Sequence, residues 1–343
     1  MNNLRSKIVF FLFSLSFLIW SCADNNENAP SITAALAEAD VINIQLAGPA
    51  ADSANEFSGL AWRGDYLILL PQFPNRNIDS TNNAGILFSI PKERIISYLD
   101  GSDTSPIEPD TMKLYASGLQ SFNSYGSGYE AIVFDTANDY TYCALESNLG
   151  FATTGYLVKG YGARLDPSTL VEIESQSGIN NLSEEAIFIF GGRIYTIHEA
   201  NGKNVNPNPV SHSFHLNLAD EITIPFPNIE YRITDATAPD DNGKFWVINY
   251  FWEGDSADLK PAEDELVKKY GIGETNEMYP GIERLIQLQV AENGIELVDR
   301  APIYLKLNND GGRNWEGIAK LDDRGLLIVT DKFPSTILGF VKF

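Results

Sequence analysis

Five times along this chain a polar or acidic residue followed by Gly or Ala opens a short apolar run, turns through Gly or Asp, and returns along a second apolar run. The openings are Ser58-Gly59, Glu130-Ala131, Glu185-Ala186, Asp235-Ala236 and Glu316-Gly317, and the matching ends are Gln72, Glu146, Glu199, Asn249 and Asp331. Opening and end are separated by 14 to 16 residues in every unit, whereas successive openings lie 72, 55, 50 and 81 residues apart. Apolar runs of strand length on either side of a Gly/Asp turn are the signature of a β-hairpin. A fixed unit with variable separation describes hairpins carried on repeated sheets, with insertions confined to loops. The spacing therefore predicts an all-β chain folded as a β-propeller. Five units over residues 41–343 imply six blades, one of them degenerate, with five or seven also allowed. Val41 to Leu46 should pair with Ile337 to Val341 to close the ring, leaving no open sheet edge.

The organisation outside the repeat is simpler. Arg5 and Lys7 precede an apolar run from Ile8 to Trp20, and Ser21-Cys22 follows, which reads as a secretory signal of lipoprotein type over residues 1–21 with Cys22 as the lipidated residue. Residues 22–40 are polar and acidic and read as a flexible tether, and 41–343 as one propeller domain. Attachment to the membrane through an N-terminal lipid, and a place in the cell envelope as an outer-membrane lipoprotein facing either side, follow from that reading. Residues 253–281 break the strand pattern with Pro261, a short helical run from Glu263 to Tyr270 and Gly271 as its stop. They read as an insertion on one face, either a lid or a plain excursion.

Charge excludes one class of partner. Acidic residues number 46 against 24 basic ones, a formal charge of -22 that becomes -24 without Arg5 and Lys7. Nucleic acid needs a basic face, so it is not a partner of this chain. With Cys22 lipidated, Cys143 is left without a disulfide partner, and Tyr142-Cys143-Ala144-Leu145 makes it a buried apolar residue. Three histidines, no G-x-S-x-G elbow and no phosphate-cradling Gly loop remove the common nucleophile and nucleotide motifs.

In a propeller the start of each inner strand lies at one mouth of the central channel, so Glu130, Glu185, Asp235 and Glu316 are expected to converge there. Facing carboxylates repel unless a cation sits between them, and calcium, with many oxygen ligands and loose geometry, is the economical choice. These four are the expected metal ligands, and Glu316, Glu185 and Asp235 the expected catalytic residues. Glu146, Glu199 and Asp331 offer a second acidic set, and Glu184 doubles the charge beside Glu185. Arg76, Arg232, Arg284, Arg313 and Lys332 are cations that could face the mouth; Arg284, Arg313 and Lys332 are the expected substrate-binding set. Each acid could equally accept backbone N–H groups in its own turn, and each cation could be ordinary ion-paired surface.

Thr234-Asp235-Ala236, the run Asp241-Asn242-Gly243-Lys244-Phe245-Trp246-Val247-Ile248, Glu283-Arg284-Leu285, Asn314-Trp315-Glu316-Gly317-Ile318-Ala319 and Thr330-Asp331-Lys332 occur in an order that resembles the bacterial phytase-like ("esterase-like activity of phytase") β-propeller family, best over residues 180–343. The resemblance implies a secreted or lipid-anchored, calcium-binding propeller that hydrolyses a small-molecule phosphoric or carboxylic ester. Asp235-Ala236-Thr237-Ala238-Pro239-Asp240-Asp241 only echoes the motif of true β-propeller phytases, so the fold transfers more readily than the activity. A surface module that binds a glycan or protein without catalysis, and a lactonase-type propeller, are the competing expectations.

Overall fold

The computed structural model describes residues 35–75, 84–123, 127–148, 153–308 and 312–343; the signal segment, Cys22 and Arg76 lie outside the described residues. Each predicted hairpin is the inner pair of an antiparallel sheet. The first comprises Phe57–Arg63, Tyr66–Pro71, Ala84–Pro91 and Asp110–Tyr115. The second comprises Ser127–Asp135, Tyr140–Ser147, Thr154–Tyr161 and Arg164–Ile173, and a single parallel pair, Arg164 with Tyr115, joins the outer edges of the two. The third is Glu184–Phe190, Arg193–His198, Val210–His215 and Ile222–Pro225. The fourth is Arg232–Ala236, Lys244–Trp252 and Gly281–Ala291, with Gly294–Leu297 and Ile303–Leu305 both hydrogen-bonded to the last. The fifth is Trp315–Leu321, Gly325–Thr330 and Leu338–Lys342, completed by Ile42–Ile44 from the other end of the chain. That pairing closes the ring as expected.

The alternation of side chains explains why these strands are apolar throughout. Neighbours along a strand point to opposite faces, and each sheet here is packed between two others. Leu67 and Leu69 meet Leu327 and Val329 of the fifth sheet, while Ile68 and Leu70 meet Cys143 and Leu145 of the second. Tyr142 and Ala144 then meet Ile187 and Ile194 of the third. Phe188 and Ile197 meet Phe245 and Val247 of the fourth. Trp246 and Ile248 meet Leu326 and Ile328 of the fifth. Five apolar layers thus lie at five interfaces, and the inner strands touch one another in a closed cycle. Burying each such side chain fully contributes roughly 1.5–3 kcal/mol, so the layers dominate the energetics of the ring.

Among the described residues there are five inner strands rather than the expected six. Chain length misled the estimate. The long intervals between units are filled by the helix Lys92–Leu99 and by helical turns at Glu253–Asp255, Ser256–Leu259, Glu265–Tyr270 and Glu274–Met278, not by another sheet. The end of the acidic tether is also ordered. Glu38–Ala39 runs parallel to Ile303–Leu305, and the Glu38 carboxylate accepts from Thr275 N (2.9 Å), Thr275 Oγ1 (2.7 Å) and Asn276 Nδ2 (2.9 Å). No helix among the described residues is long and apolar enough to cross a membrane.

Candidate active site in the central cleft

Each inner hairpin carries one extra residue at the same place. The register pairs Phe57 with Pro71, Tyr129 with Leu145, Glu184 with His198, Ile233 with Asn249 and Trp315 with Thr330, and then slips. The slip is a β-bulge, which re-aims the residue that follows. The residues after the first partners are Ser58, Glu130, Glu185, Thr234 and Glu316; those after the second partners are Gln72, Glu146, Glu199, Tyr250 and Asp331. Two concentric sets of side chains therefore surround the axis. Ser58, Glu130, Glu185 and Glu316 of the first, and Gln72, Glu146, Tyr250 and Asp331 of the second, line one cleft of about 990 Å³.

The register corrects the fourth unit. Asp235-Ala236 looks like Glu185-Ala186, yet the residue equivalent to Glu185 is Thr234, and Asp235 occupies the place held elsewhere by Gly59, Ala131, Ala186 and Gly317. Ser58 and Thr234 behave alike. Ser58 Oγ donates to the Tyr129 carbonyl (2.5 Å), and Thr234 Oγ1 donates to the Trp315 carbonyl (2.6 Å), each clasping the neighbouring sheet. Asp235 then points into the narrowest part of the ring. Its carboxylate accepts from Ile318 N (2.8 Å), Leu60 N (3.3 Å) and Ala236 N (2.8 Å), tying three blades together. The backbones crowd there: a Cβ on Gly317 would stand 2.9 Å from the carbonyl carbon of Gly59. Burial pushes the Asp235 carboxyl up while the three N–H donors pull it down. Asp235 is a structural acid, so it drops out of the expected catalytic and metal sets.

The remaining acids behave differently. Glu130, Glu146, Glu185, Glu199 and Glu316 are all buried and lie within one another's electrostatic reach. Burial first, then the neighbouring carboxylates, raise Glu130 and Glu185 well above the usual range. Burial and Glu199 raise Glu146 to about 7; burial raises Glu316 to about 8 against the pull of Arg232. Glu199 lies beside Glu185 and ion-pairs with Arg232 Nε, and Arg232 reaches Glu316 at 3.4 Å and Asp255 at 4.0 Å. Gln72 donates to Glu130 at 3.4 Å. Glu184 takes the position that Phe57, Tyr129, Ile233 and Trp315 fill in the other blades, and burial raises it to about 8.

Of the expected substrate-binding cations, Lys332 lines the cleft and is bonded to Glu56 at 2.6 Å. Arg284 does not line it. It is buried behind the fourth blade, bonded to Asn249 (2.7 Å), Tyr304 (3.0 Å) and Asp264 (2.7 Å), the residue that caps the helix Glu265–Tyr270. Arg313 also lies elsewhere: it pairs with Glu283 (2.8 Å) and sits over the Trp315 ring, whose indole N–H donates to the same Glu283 (2.7 Å). Glu283 and Trp315, two of the residues that carried the family resemblance, thus form with Arg313 a clasp between the fourth and fifth blades, while Arg284 braces the fourth blade from within. Arg232, one of several expected cations, is the residue that meets the acids. Two positions ahead of the bulge on its strand, it shares the inward parity of Thr234.

The expected calcium centre was tested against these side chains. Asp235 is occupied by three backbone donors and one oxygen of Glu199 by Arg232, and among the described residues no three His, Cys, Asp or Glu groups stand so as to hold one metal ion. The four expected ligands do not make a preformed site. Oε2 of Glu146 and Oε2 of Glu199 are nevertheless buried with no hydrogen-bond partner, which leaves acceptor capacity in the cluster.

No family model matches the chain, and no curated protein matches it. Solved structures do. A glycosyl hydrolase from Bacteroides ovatus superposes with a TM-score of 0.46 at 7% identity, over 84% of this chain and 85% of that one. A GH32 β-fructofuranosidase from Bombyx mori, solved with sucrose, gives 0.43 at 10% identity over 84% of this chain and 59% of that one. A chain of a mitotic checkpoint complex gives 0.37 at 7% identity over 99% and 100%. Likenesses this remote, spread over unrelated activities, identify no reaction. The propeller stands on the sheets themselves, and membership of the phytase-like family finds no support.

Proposed function

We propose that this propeller is a hydrolase whose central cleft cleaves a neutral, hydroxyl-rich substrate, a glycoside, by carboxyl acid–base chemistry. The observation that carries the reading is the convergence of Glu130, Glu146, Glu185 and Glu316 in one cleft whose two cations, Arg232 and Lys332, are already paired with carboxylates. Glycoside cleavage asks for two carboxyl groups in opposite protonation states. Environments that push such groups apart assign the roles. Glu316, held near 8, and Glu185, raised well above the usual carboxylate range by burial and its carboxylate neighbours, keep a proton at neutral pH and can give it to a leaving oxygen. Glu146, near 7, ionises below Glu316 and serves as base or nucleophile.

A phosphoric ester suits this cleft poorly. Its own charge would face Glu56, Glu130, Glu146, Glu185, Asp255, Glu316 and Asp331 with no unpaired cation among the described residues of the cleft to receive it. The test is release of reducing sugar from a panel of aryl glycosides and soluble polysaccharides, with p-nitrophenyl phosphate run in parallel with and without calcium. Glu316→Gln and Glu185→Gln should each lower glycoside turnover by roughly 100-fold or more, the range for loss of a general acid. Turnover of phosphate but of no glycoside, or full activity in both variants, ends the reading.

A further inference from the structure

Five large aromatic side chains among the described residues are strongly exposed, Tyr66, Tyr161, Trp252, Phe333 and Phe343, and two of them, Trp252 (56%) and Phe333 (58%), lie on the cleft. From this placement we propose that Trp252 is a stacking platform for a sugar ring, with Phe333 as a second, weaker one, so that the occupant of the cleft is an oligosaccharide held at its rim. The inference rests on the glycoside reading of the same cleft.

The strand geometry supplies the first argument. Trp252 follows Tyr250 by two residues on the strand Lys244–Trp252, so it shares the facing of a side chain already on the cleft wall and stands about 7 Å farther out. The seat beneath it supplies the second. A methyl group at Gly254 would collide with the six-membered ring of Trp252, so the indole lies directly on the glycine backbone and is held there. The 3-10 turn Glu253–Asp255 that brings Gly254 under the ring also carries Asp255 towards Arg232. Phe333 is fixed by its backbone: its N–H donates to Asp331 Oδ1 (2.7 Å) and its carbonyl accepts from Asn314 N (3.1 Å). Trp252 is thus exposed with one face on the Gly254 backbone, and Phe333 is exposed on a backbone held at both its N–H and its carbonyl. Aromatic faces presented to a cleft in this way are the kind of surface that recognition sites use.

Chemistry selects the ligand. A pyranose or furanose presents an apolar C–H face to an aromatic ring and hydroxyl groups at its edge, and the cleft below offers carboxyls together with Asn148, Asn181 and Asn314 for those hydroxyls. A cationic ligand is the competitor, since an acidic cleft with an indole also suits an ammonium group. Salt separates the two, because a neutral sugar binds independently of ionic strength.

The experiment is titration of the mature protein with neutral xylo-, arabino-, manno- and fructo-oligosaccharides at low and high salt, followed by calorimetry. The best-bound sugar should lose roughly tenfold in affinity, about 1.4 kcal/mol, in Trp252→Ala, and Gly254→Ala, which displaces the ring, should lose a similar factor. Trp252→Phe should stay within about threefold, and Phe333→Ala should lose less than Trp252→Ala. In Trp252→Ala the KM for the oligosaccharide should rise by a larger factor than its turnover number falls. Unchanged oligosaccharide affinity in both Trp252→Ala and Gly254→Ala overturns the platform even if glycosides are cleaved. Binding abolished by salt overturns it in favour of a cation. No affinity for any of the four sugars overturns it too. Sugar binding that depends on Trp252 without cleavage sustains the platform and removes the hydrolase.

Discussion

Asp235 and Glu316 are both buried acids near the start of an inner strand, one residue apart in the repeat, and they do opposite things. Asp235 meets three backbone N–H groups and no cation. Glu316 meets Arg232 at 3.4 Å and the charges of Glu199 and Asp331, and faces the cleft. Burial raises both, and the charges of Glu199 and Asp331 add to it at Glu316. What distinguishes a structural carboxylate from a chemical one is the company it keeps: donors of fixed geometry saturate the first, and other titratable groups crowd the second. The comparison extends to arginine, since Arg284 is held by Asn249, Tyr304 and the single carboxylate of Asp264 while Arg232 is shared among three acids.

The largest effect expected from this contrast is on turnover. Under the glycoside reading, Glu316→Gln should cost about 100- to 10,000-fold in kcat while leaving the urea midpoint at or above that of the parent protein. Asp235→Ala should do the reverse at the level of folding. Three buried N–H groups lose their acceptor at about 1–3 kcal/mol apiece, so a loss on the order of 3 kcal/mol or more is expected from urea unfolding. If Asp235→Ala is as stable as the parent, the structural assignment fails.

Next comes pH. Glu130, Glu146, Glu184, Glu185 and Glu316 all have folded-state values raised above the unfolded value near 4.5. The folded protein therefore keeps protons that the unfolded chain releases between about 4.5 and about 8. Stability is full below that window and is lost as pH rises through it, by about 1.4 kcal/mol per pH unit for each proton retained. Thermal melting from pH 4.5 to 8.5 measures this, and Glu185→Gln should flatten the slope. If calcium supplies the missing countercharge, adding it at pH 8 should restore melting temperature and chelator should remove the gain; no response in either direction withdraws the calcium proposal. The rate profile carries the same groups, with a rise as Glu146 ionises near 7 and a fall as Glu316 ionises near 8.

How far the sequence reveals this depends on which residue is asked about. The hairpins and the closing pair were legible because period-2 alternation and Gly/Asp turns are local, and so was the gathering of Glu130, Glu185 and Glu316. The bulge was not, because a one-residue slip leaves no mark in composition. It is the reason Asp235-Ala236 passed for a copy of Glu185-Ala186 and Asn249 for the end position that Tyr250 holds. Arg284 and Arg313 were misplaced for a related reason. Their fate depends on partners far along the chain, Asp264 and Glu283, whose proximity only the closed ring creates. The signal that could have moved Arg232 forward was its parity with Thr234.

The smallest effect tests the register directly. If Thr234, not Asp235, is the counterpart of Ser58, then Ser58→Ala and Thr234→Val remove the same kind of bond, a hydroxyl donating to the carbonyl that precedes Glu130 or Glu316. Each should cost about 1 kcal/mol in urea unfolding, the net worth of a single hydrogen bond. Neither carbonyl is charged, so the loss should be the same at pH 5 and pH 8, in contrast to the slope set by the glutamates. A larger and pH-dependent loss in Thr234→Val would mean that this side chain orients Glu316 as well as holding the neighbouring blade. The two positions would then be equivalent in backbone but not in role, and the line drawn between clasp and cleft would have to move by one residue.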